Sequence, residues 1–512
     1  MKLRALFAFA VLVAAGCSSS PSGSSGASSG AGTSTGATTS TTANSGTAGT
    51  TSTGGNSGTS TSTTSTGSTG TGSTSTTSTS TGGSSGSTGP YTFWADVAPI
   101  LEQNCVTCHR SGAIAPFSLR TYQDAVDNAA QFPEAMDPTL AAAAGVDTMP
   151  PWPPDSSCNT YQHARSLTDT QRTILSTWAT GGTPEGGPAP ASGVIDVPDA
   201  GPALAHVDAT LTMPGAYLPQ LSPDDYHCFI VPWTASTTKY VTGLTVTPGN
   251  PKIVHHVIAY VAAPGDAAKY TALDTSDGGT AGYTCFGGAG ADDSAGWLGT
   301  WAPGAVGGEF PAGTGIRVDP GSVMILQVHY NVLNGPGETD LTSVDLELAD
   351  SVQKEAAVIP DLDPQWYSGN MPIPAGQADV VHTFTLDPTP FMSYVTSAIP
   401  NNTPFTIWSV GGHMHLRGVE TSLDILRSGS SSNDACLLDI PHWDFHWQGM
   451  YTLNQPVVFN PGDQLSLTCH WNNTDANQPH YPDGGQMPAQ NLNWGEGTQD
   501  EMCLGLLYVT AN

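Results

Sequence analysis

The chain has 512 residues and a formal net charge of −30, from 43 Asp and Glu against 13 Lys and Arg. That length exceeds what one hydrophobic core supports and predicts about three domains. The charge argues against nucleic acid and anionic membrane surfaces as partners; beyond that it bears on solubility, not on mechanism.

Residues 1–17 read as a secretory signal, with Lys2 and Arg4 ahead of an apolar run from Leu6 to Ala15. The run is too short to span a membrane. Ala14-Ala15-Gly16-Cys17 resembles a lipoprotein cleavage site, which would leave Cys17 as the lipid-bearing N-terminus. Ordinary secretion with an unmodified Cys17 is the plainer alternative. No Asp follows the cysteine to hold the protein at an inner membrane, so the expectation is a lipid-anchored, extracytoplasmic protein of the outer membrane, facing the periplasm or the cell surface. Residues 18–89 are almost wholly Ser, Thr, Gly and Ala, without charge or aromatic side chains. Such a stretch buries too little apolar surface to offset its ordering entropy and reads as a disordered tether.

Composition changes at Pro90. Residues 91–187 contain Cys105-Val106-Thr107-Cys108-His109, a Cys-x-x-Cys-His attachment signal for a covalent haem c with His109 as an iron ligand. A redox disulfide would want a βαβ context, and a zinc site a second nearby pair. The domain reads as a small helical, cytochrome c-like unit. One amphipathic helix spans Phe93–Gln103, and a second is capped by Thr168 and runs to Trp178. Met149 is the preferred second axial ligand, because Pro150 and Pro151 stiffen the loop behind it; Met136 is its competitor.

Residues 188–200 form a second linker, and from residue 201 the pattern becomes short alternating strands separated by turn residues. Forty prolines and many short strands argue for antiparallel sandwiches. Four stretches carry histidines in strand context: Val254-His255-His256-Val257, Leu326 to Tyr330 with His329, His413-Met414-His415, and Asp500-Glu501-Met502-Cys503. Imidazole suits copper, and thioether sulfur favours its reduced ion. Alternation over Val323–Asn331 sets His329 and Gln327 on one face and Met324, Leu326, Val328 and Tyr330 on the other, making Gln327 a candidate support for His329. His255 and His256 would point to opposite faces of a regular strand, so a shared metal demands a bulge or a strand end there. His163, His206, His227, His382 and His480 read as surface or loop residues. His442 and His446 lie in an aromatic cluster that either lines a pocket or packs a sheet, packing being preferred, and His470 has no assigned role.

Together these stretches resemble the copper type II, ascorbate-dependent monooxygenases, the family of the peptidylglycine-hydroxylating and dopamine β-monooxygenases. Met213-Pro214-Gly215, Asp225 to Cys228, Trp301 to Gly304, Gly315 to Val318 and Tyr508 add to the match. The resemblance covers residues 200–512. It implies two jelly-roll-like all-β sandwiches, 201–352 and 353–512; the break is placed near residues 350–361, where Pro360, Asp361, Asp363 and Pro364 interrupt the strands. It implies two copper ions, one held by His255, His256 and His329 and storing an electron, the other held by His413, His415 and Met502, where O2 and substrate react. It also suggests the pairings Cys228–Cys285 and Cys469–Cys503. Cys158 and Cys436 are left over, either free or joining the haem domain to the copper core. The helical domain resembles cytochrome c units fused ahead of such enzymes in bacteria.

The implied activity is hydroxylation of a C–H bond of a small molecule, with electrons from an ascorbate-like reductant or a redox protein, fed in through the haem. The alternative is a non-catalytic haem and copper electron-transfer or copper-binding lipoprotein. In peptide-hydroxylating members an Arg, an Asn and a Tyr bind the substrate's carboxylate region. Here those positions are Gly411, Leu504 and Leu506. The expected substrate is therefore apolar or weakly polar.

Overall fold

The computed structural model describes residues 91–512 except 112–114, 138, 142–147, 152–153, 198–203, 277–280, 286–287, 291–293, 303–307, 333–334, 430–433, 446, 481–484, 496 and 498. The signal segment, Cys17 and the tether lie outside the described residues, as do Pro303, Gly304 and His446.

The first module is helical. A π-helical turn, Phe93–Val97, leads into α1 (Ala98–Asn104), followed by α2 (Tyr122–Asn128), α3 (Phe132–Ala135) and α4 (Asp169–Thr180). Thr121 and Thr168 each accept from the third backbone N–H of their helix in a reciprocal capping box, which satisfies donors the helix cannot. Phe93, Leu101, Leu175 and Trp178 are buried together, as the helical spacing required. Cys105 leaves α1 with its N–H on the Leu101 carbonyl.

This module is joined to the C-terminal sandwich through residues 155–162. Asp155 N–H donates to Asp439 O (2.8 Å), Gln162 N–H to Thr452 O (2.7 Å), and Asn454 N–H to Thr160 O (2.9 Å). The Tyr161 hydroxyl donates to Leu437 O (3.0 Å). A disulfide, Cys158–Cys436, fastens the contact across 278 residues of sequence. It resolves the two cysteines left open above.

The remaining chain supplies eighteen strands among the described residues: β1 (Ala209–Thr212), β2 (Asp224–Pro232), β3 (Lys239–Thr247), β4 (Val254–Ala262), β5 (Tyr283–Thr284), β6 (Gly296–Trp301), β7 (Gly308–Glu309), β8 (Thr314–Val318), β9 (Val323–Asn331), β10 (Ser343–Ala349), β11 (Lys354–Asp361), β12 (Val380–Leu386), β13 (Phe405–His413), β14 (Gly418–Leu426), β15 (Ala435–Ile440), β16 (Met450–Phe459), β17 (Gln464–Trp471) and β18 (Leu504–Ala511). A five-stranded sheet, β5-β2-β9-β4-β6, faces β1-β10-β3-β8 across a core that includes Phe229, Val257, Leu326, Val328 and Leu346. A four-stranded sheet, β12-β17-β14-β15, faces β11-β18-β13-β16 across Ile407, Leu423, Leu467, Trp471 and Leu507.

The two sandwiches are joined more closely than the sequence suggested. Residues 354–361, expected to break the strands, form β11. It pairs in parallel with β8 (Ala356 opposite Ile316) and antiparallel with β18, so one nine-stranded sheet runs through both halves. Pro360 misled the reading: it stands one residue from the strand's end, where a missing N–H removes a single ladder bond. Tyr508 of β18 secures the junction, its hydroxyl 2.8 Å from Thr314 Oγ1 and its ring 5.3 Å from Phe310.

The staple gives a direct test. Proteolysis in the exposed linker around residues 188–193 should leave two fragments that co-migrate on a non-reducing gel and separate only after reduction. Separation without reductant would contradict the Cys158–Cys436 link.

Candidate metal centres

The first histidine set is made by β4 and β9. Their register runs Val254 opposite Tyr330, then His256 opposite His329, so His255 is an extra residue in a bulge. This is the bulge that a metal shared by adjacent histidines would demand. One ligating atom from each of His255, His256 and His329 lies within 4.8 Å of the others. The Nδ1 atoms of His255 and His329 each stand 3.4 Å from His256 Nδ1. His329 Nε2 donates to Asp224 Oδ1 (2.9 Å), which leaves its Nδ1 as an acceptor facing its neighbours. Tyr226 stacks on the His329 ring at 4.0 Å and 8° and fixes its plane. Three imidazole nitrogens this close together form a candidate cation site.

Gln327 shares the His329 face, but its amide donates to Gly288 O (2.7 Å) and lies 3.7 Å from Cys285 Sγ. The partner of His329 is Asp224. Beneath the strands, the implied disulfide Cys228–Cys285 is present.

The second set forms where strands end. His413 is the last residue of β13; Met414 turns into the core and is fully buried; His415 follows, 2% exposed. His413 Nδ1–H donates to Gln448 Oε1, whose own amide donates to Phe445 O (2.7 Å). His415 Nδ1–H donates to Asp500 O (3.2 Å). Both rings are thereby left with Nε2 for another partner. The ring centroids are 5.1 Å apart and perpendicular. Met502, buried, lies two residues before β18, and Cys503 beside it is tied to Cys469 as implied. Glu501 organises the turn: its carboxylate accepts from the N–H groups of His415 (3.1 Å) and Arg417 (2.7 Å) and from the Trp471 indole (2.8 Å).

One cavity of about 370 Å³ is lined by His256 of the first set, by Gln327, and by His413, His415 and Met502 of the second set. Phe445 sits between the sets, stacked on His255 at 5.2 Å and edge-on to His415 at 5.9 Å. Burial, and then the imidazoles of His329, His255, His413 and His415, hold His256 well below the ordinary histidine range. Burial likewise depresses His329, His413 and His415. Neutral imidazole is the form that ligates.

In the helical module, Cys105 and Cys108 are free thiols, and burial pushes Cys105 up to about 12. His109 is buried, with Nδ1 3.3 Å from Phe117 O, which leaves Nε2 available. Met149 is half-buried and anchored by its N–H to Ala135 O (2.6 Å), whereas Met136 is buried in the helical core. Arg165 lies within electrostatic reach of both Cys108 and Tyr451 of β16.

Sequence reasoning missed Asp224, Gln448, Glu501 and Phe445. A carboxylate directly before a buried Met-Cys pair was a usable signal for Glu501. Phe445 lay in the aromatic cluster already noted, and Gln448 gave no signal, because both sit in the connection between β15 and β16. His227, read as a surface residue, is buried in β2, where it stacks on Tyr217 at 4.1 Å and meets Ala281 O at 3.0 Å.

Residues 364–510 match the family model described as copper type II ascorbate-dependent monooxygenase, C-terminal domain. No curated protein matches the chain. Among solved structures, the major capsid protein P2 of bacteriophage PM2 covers 59% of this chain and 97% of its own at 8% identity and a TM-score of 0.23. Peptide-N(4)-(N-acetyl-β-D-glucosaminyl) asparagine amidase covers 59% and 96% at 11% identity and a TM-score of 0.23. PNGase F from Flavobacterium meningosepticum covers 60% and 96% at 11% identity and a TM-score of 0.22. Likeness this slight carries no argument about fold or function.

Two tests follow from the buried groups. The depressed histidines mean that the unfolded chain takes up more protons below pH ~6.5 than the folded one. In metal-free protein these histidines should lower the melting temperature as pH falls from about 7 to about 5. Glu501 and Asp361, both raised to about 7 by burial, oppose this, as do the raised carboxyls of Glu355, Asp424 and Asp439, so the histidine contribution is read against His256→Asn, whose melting temperature should fall less over that range. An equal or steeper fall in His256→Asn would contradict the assignment. Separately, Glu501→Gln loses an acceptor for one of three buried N–H donors and should cost about 1–3 kcal/mol in denaturant unfolding.

Proposed function

We propose that the chain is a copper-dependent monooxygenase that hydroxylates a C–H bond of a small, largely apolar molecule with O2, taking electrons from an external reductant. The observation that carries this reading is that Met502, His413 and His415 line one cavity together with His256 of a second imidazole cluster. The family match over residues 364–510 supports the same chemistry for the C-terminal sandwich.

The donor sets fit copper. Three imidazoles without a carboxylate ligand suit it, and a thioether beside two imidazoles favours its reduced form. His255, His256 and His329 would hold one ion, and His413, His415 and Met502 the other. When bound, copper supplies one-electron storage at the first set and O2 activation at the second. The protein's part is positional. Asp224 and Tyr226 hold His329, Gln448 holds His413, and Asp500 O and Glu501 hold the His415 turn. The Cys469–Cys503 link pins the strand that carries Met502.

The cavity does not suit an anionic substrate. Among the described residues it is lined by no Lys or Arg. A Cβ at Gly411 would stand 2.8 Å from Met450 Sδ and 2.9 Å from Gly449 O, so the sheet leaves no room there for a carboxylate-binding side chain. Leu504 and Leu506 both face the cavity. A carboxylate buried there would go unpaired at a cost of several kcal/mol.

In the helical module Cys105 and Cys108 would hold a covalent haem through thioether bonds, with His109 and Met149 as its candidate iron ligands. Bound haem supplies a one-electron carrier. The electron-storing first copper set would be the natural acceptor from such a haem. The module's bonds through residues 155–162 go instead to β15 and β16, and β16 begins two residues after Gln448. These contacts favour the C-terminal sandwich as that partner. The N-terminal signal and Cys17 support a lipid-anchored, extracytoplasmic location.

Met502→Ala should lose copper from the second set and abolish turnover while the first set keeps its metal. Copper analysis of the variant checks this, and joint loss of both ions would contradict the partition. A glycine-extended peptide should not be hydroxylated, and oxygen consumption stoichiometric with such a peptide would refute the substrate reading.

A further inference from the structure

β15 and β16 are outermost strands of opposite sheets in the C-terminal sandwich. Among the described strands β15 pairs only with β14, and β16 only with β13. The connection between them, residues 441–449, reaches three of the five histidines. The Trp443 indole N–H donates to His415 O (3.2 Å). Phe445 stacks on His255 and stands edge-on to His415. Gln448 accepts from His413 Nδ1–H, and its amide holds Phe445 O (2.7 Å). The path of this connection therefore decides how His413 is held.

A connection takes its path from its two ends, and strands at a sheet edge are held by a ladder on one side only. Here one segment of the helical module, residues 155–162, fastens both ends. On β15, Asp439 O accepts from Asp155 N–H (2.8 Å), Cys436 O from the Asn159 amide (2.9 Å) and Leu437 O from the Tyr161 hydroxyl (3.0 Å), beside the Cys158–Cys436 disulfide. On β16, Tyr161 pairs antiparallel with Leu453, Gln162 N–H donates to Thr452 O (2.7 Å), and Asn454 N–H donates to Thr160 O (2.9 Å).

Tyr161 is the pivot of this strap. Its backbone lies on β16 and its hydroxyl on β15, and its buried ring packs 5.8 Å from that of Tyr451. Just past the strap, Leu167 is buried in the helical core, so the segment is held from that side as well. His329 is held differently: its partner Asp224 comes from β2, and none of the contacts above reaches it.

We propose that Tyr161 is a positioning residue: together with Cys158 it spans the gap between β15 and β16 and so sets Gln448 on His413. The helical module thereby completes the second histidine set mechanically, whatever it binds itself. Only the effect on copper rests on reading His413, His415 and Met502 as a metal set; the placement of His413 is read without metal.

The test uses the full chain as isolated, with Tyr161→Phe, with Cys158→Ser and Cys436→Ser together, and with Gln448→Leu. In metal-free protein labelled with heavy nitrogen at histidine, the His413 Nδ1–H should give a slowly exchanging proton signal, identified by its loss in Gln448→Leu. Its exchange should be about tenfold faster in both strap variants, while the His329 Nε2–H held by Asp224 stays as in wild type. Cu(I) titrated against a chromophoric chelator should bind about tenfold more weakly at the site that Met502→Ala removes, and unchanged at the other. Adding a strap variant to Gln448→Leu should weaken Cu(I) by far less than the product of the two separate losses, because both act through one contact. Asp463→Asn controls for stability: its carboxylate bonds Arg427 and Ser428 near Phe459, at the end of β16 away from His413. It should lower the melting temperature without moving the His413 signal. Tyr161→Phe removes one hydroxyl, and phosphine reduction of folded wild type opens the disulfide without substitution, so neither arm depends on a variant that fails to fold. An unchanged His413 signal in both of these, or an equal change at His329 or in Asp463→Asn, overturns the proposal. A strap effect on His413 in a chain that binds no copper upholds the positioning and removes the metal reading.

Discussion

The constraint on which the rest depends is the gathering of five imidazoles into two neighbouring clusters, three of them lining one cavity. A ring that is to ligate must stay deprotonated and keep one nitrogen aimed at its partners. Desolvation does the first for His256, His329, His413 and His415. The second needs a fixed partner on each ring's other nitrogen. Asp224 supplies it for His329, Gln448 for His413 and the Asp500 carbonyl for His415. Much of the local architecture serves these three bonds. The bulge at His255 brings a third ring into the first cluster, and Glu501 ties three backbone and indole donors around His415.

The continuous sheet explains how two sandwiches hold one cavity. If β8 and β11 did not pair, the histidine sets would sit on separate bodies joined by a loop. With them paired, and with Tyr508 bonded to Thr314 across the junction, the walls of the cavity have a common frame. Phe445 then touches a histidine of each set, so a change at one set has a short physical route to the other. The helical module is fixed to the same frame by a disulfide and a short ladder of backbone bonds, where a flexible linker alone would leave its position open.

Much of this was legible in the sequence where chemistry and periodicity coincided. The two capped helices, the alternation of β9, the need for a bulge at His255 and the Cys228–Cys285 and Cys469–Cys503 pairs all follow from local pattern or from resemblance. What was not legible depends on long-range register. Asp224 meets His329 because β2 and β9 pair in one register, and nothing near either residue announces it. Gln327 was on the right face, yet its amide is taken by Gly288 O, a group in a distant loop. Pro360 was weighted as a breaker because its place at a strand end was invisible.

The most direct measurement of the central claim is X-ray absorption at the copper edge of the reduced, fully loaded protein. Two coppers per chain should show five imidazole shells shared between them and one sulfur scatterer, and the sulfur should vanish in Met502→Ala without loss of the imidazole signal from the first set. A single copper, or a spectrum with no sulfur in the native protein, would contradict the account.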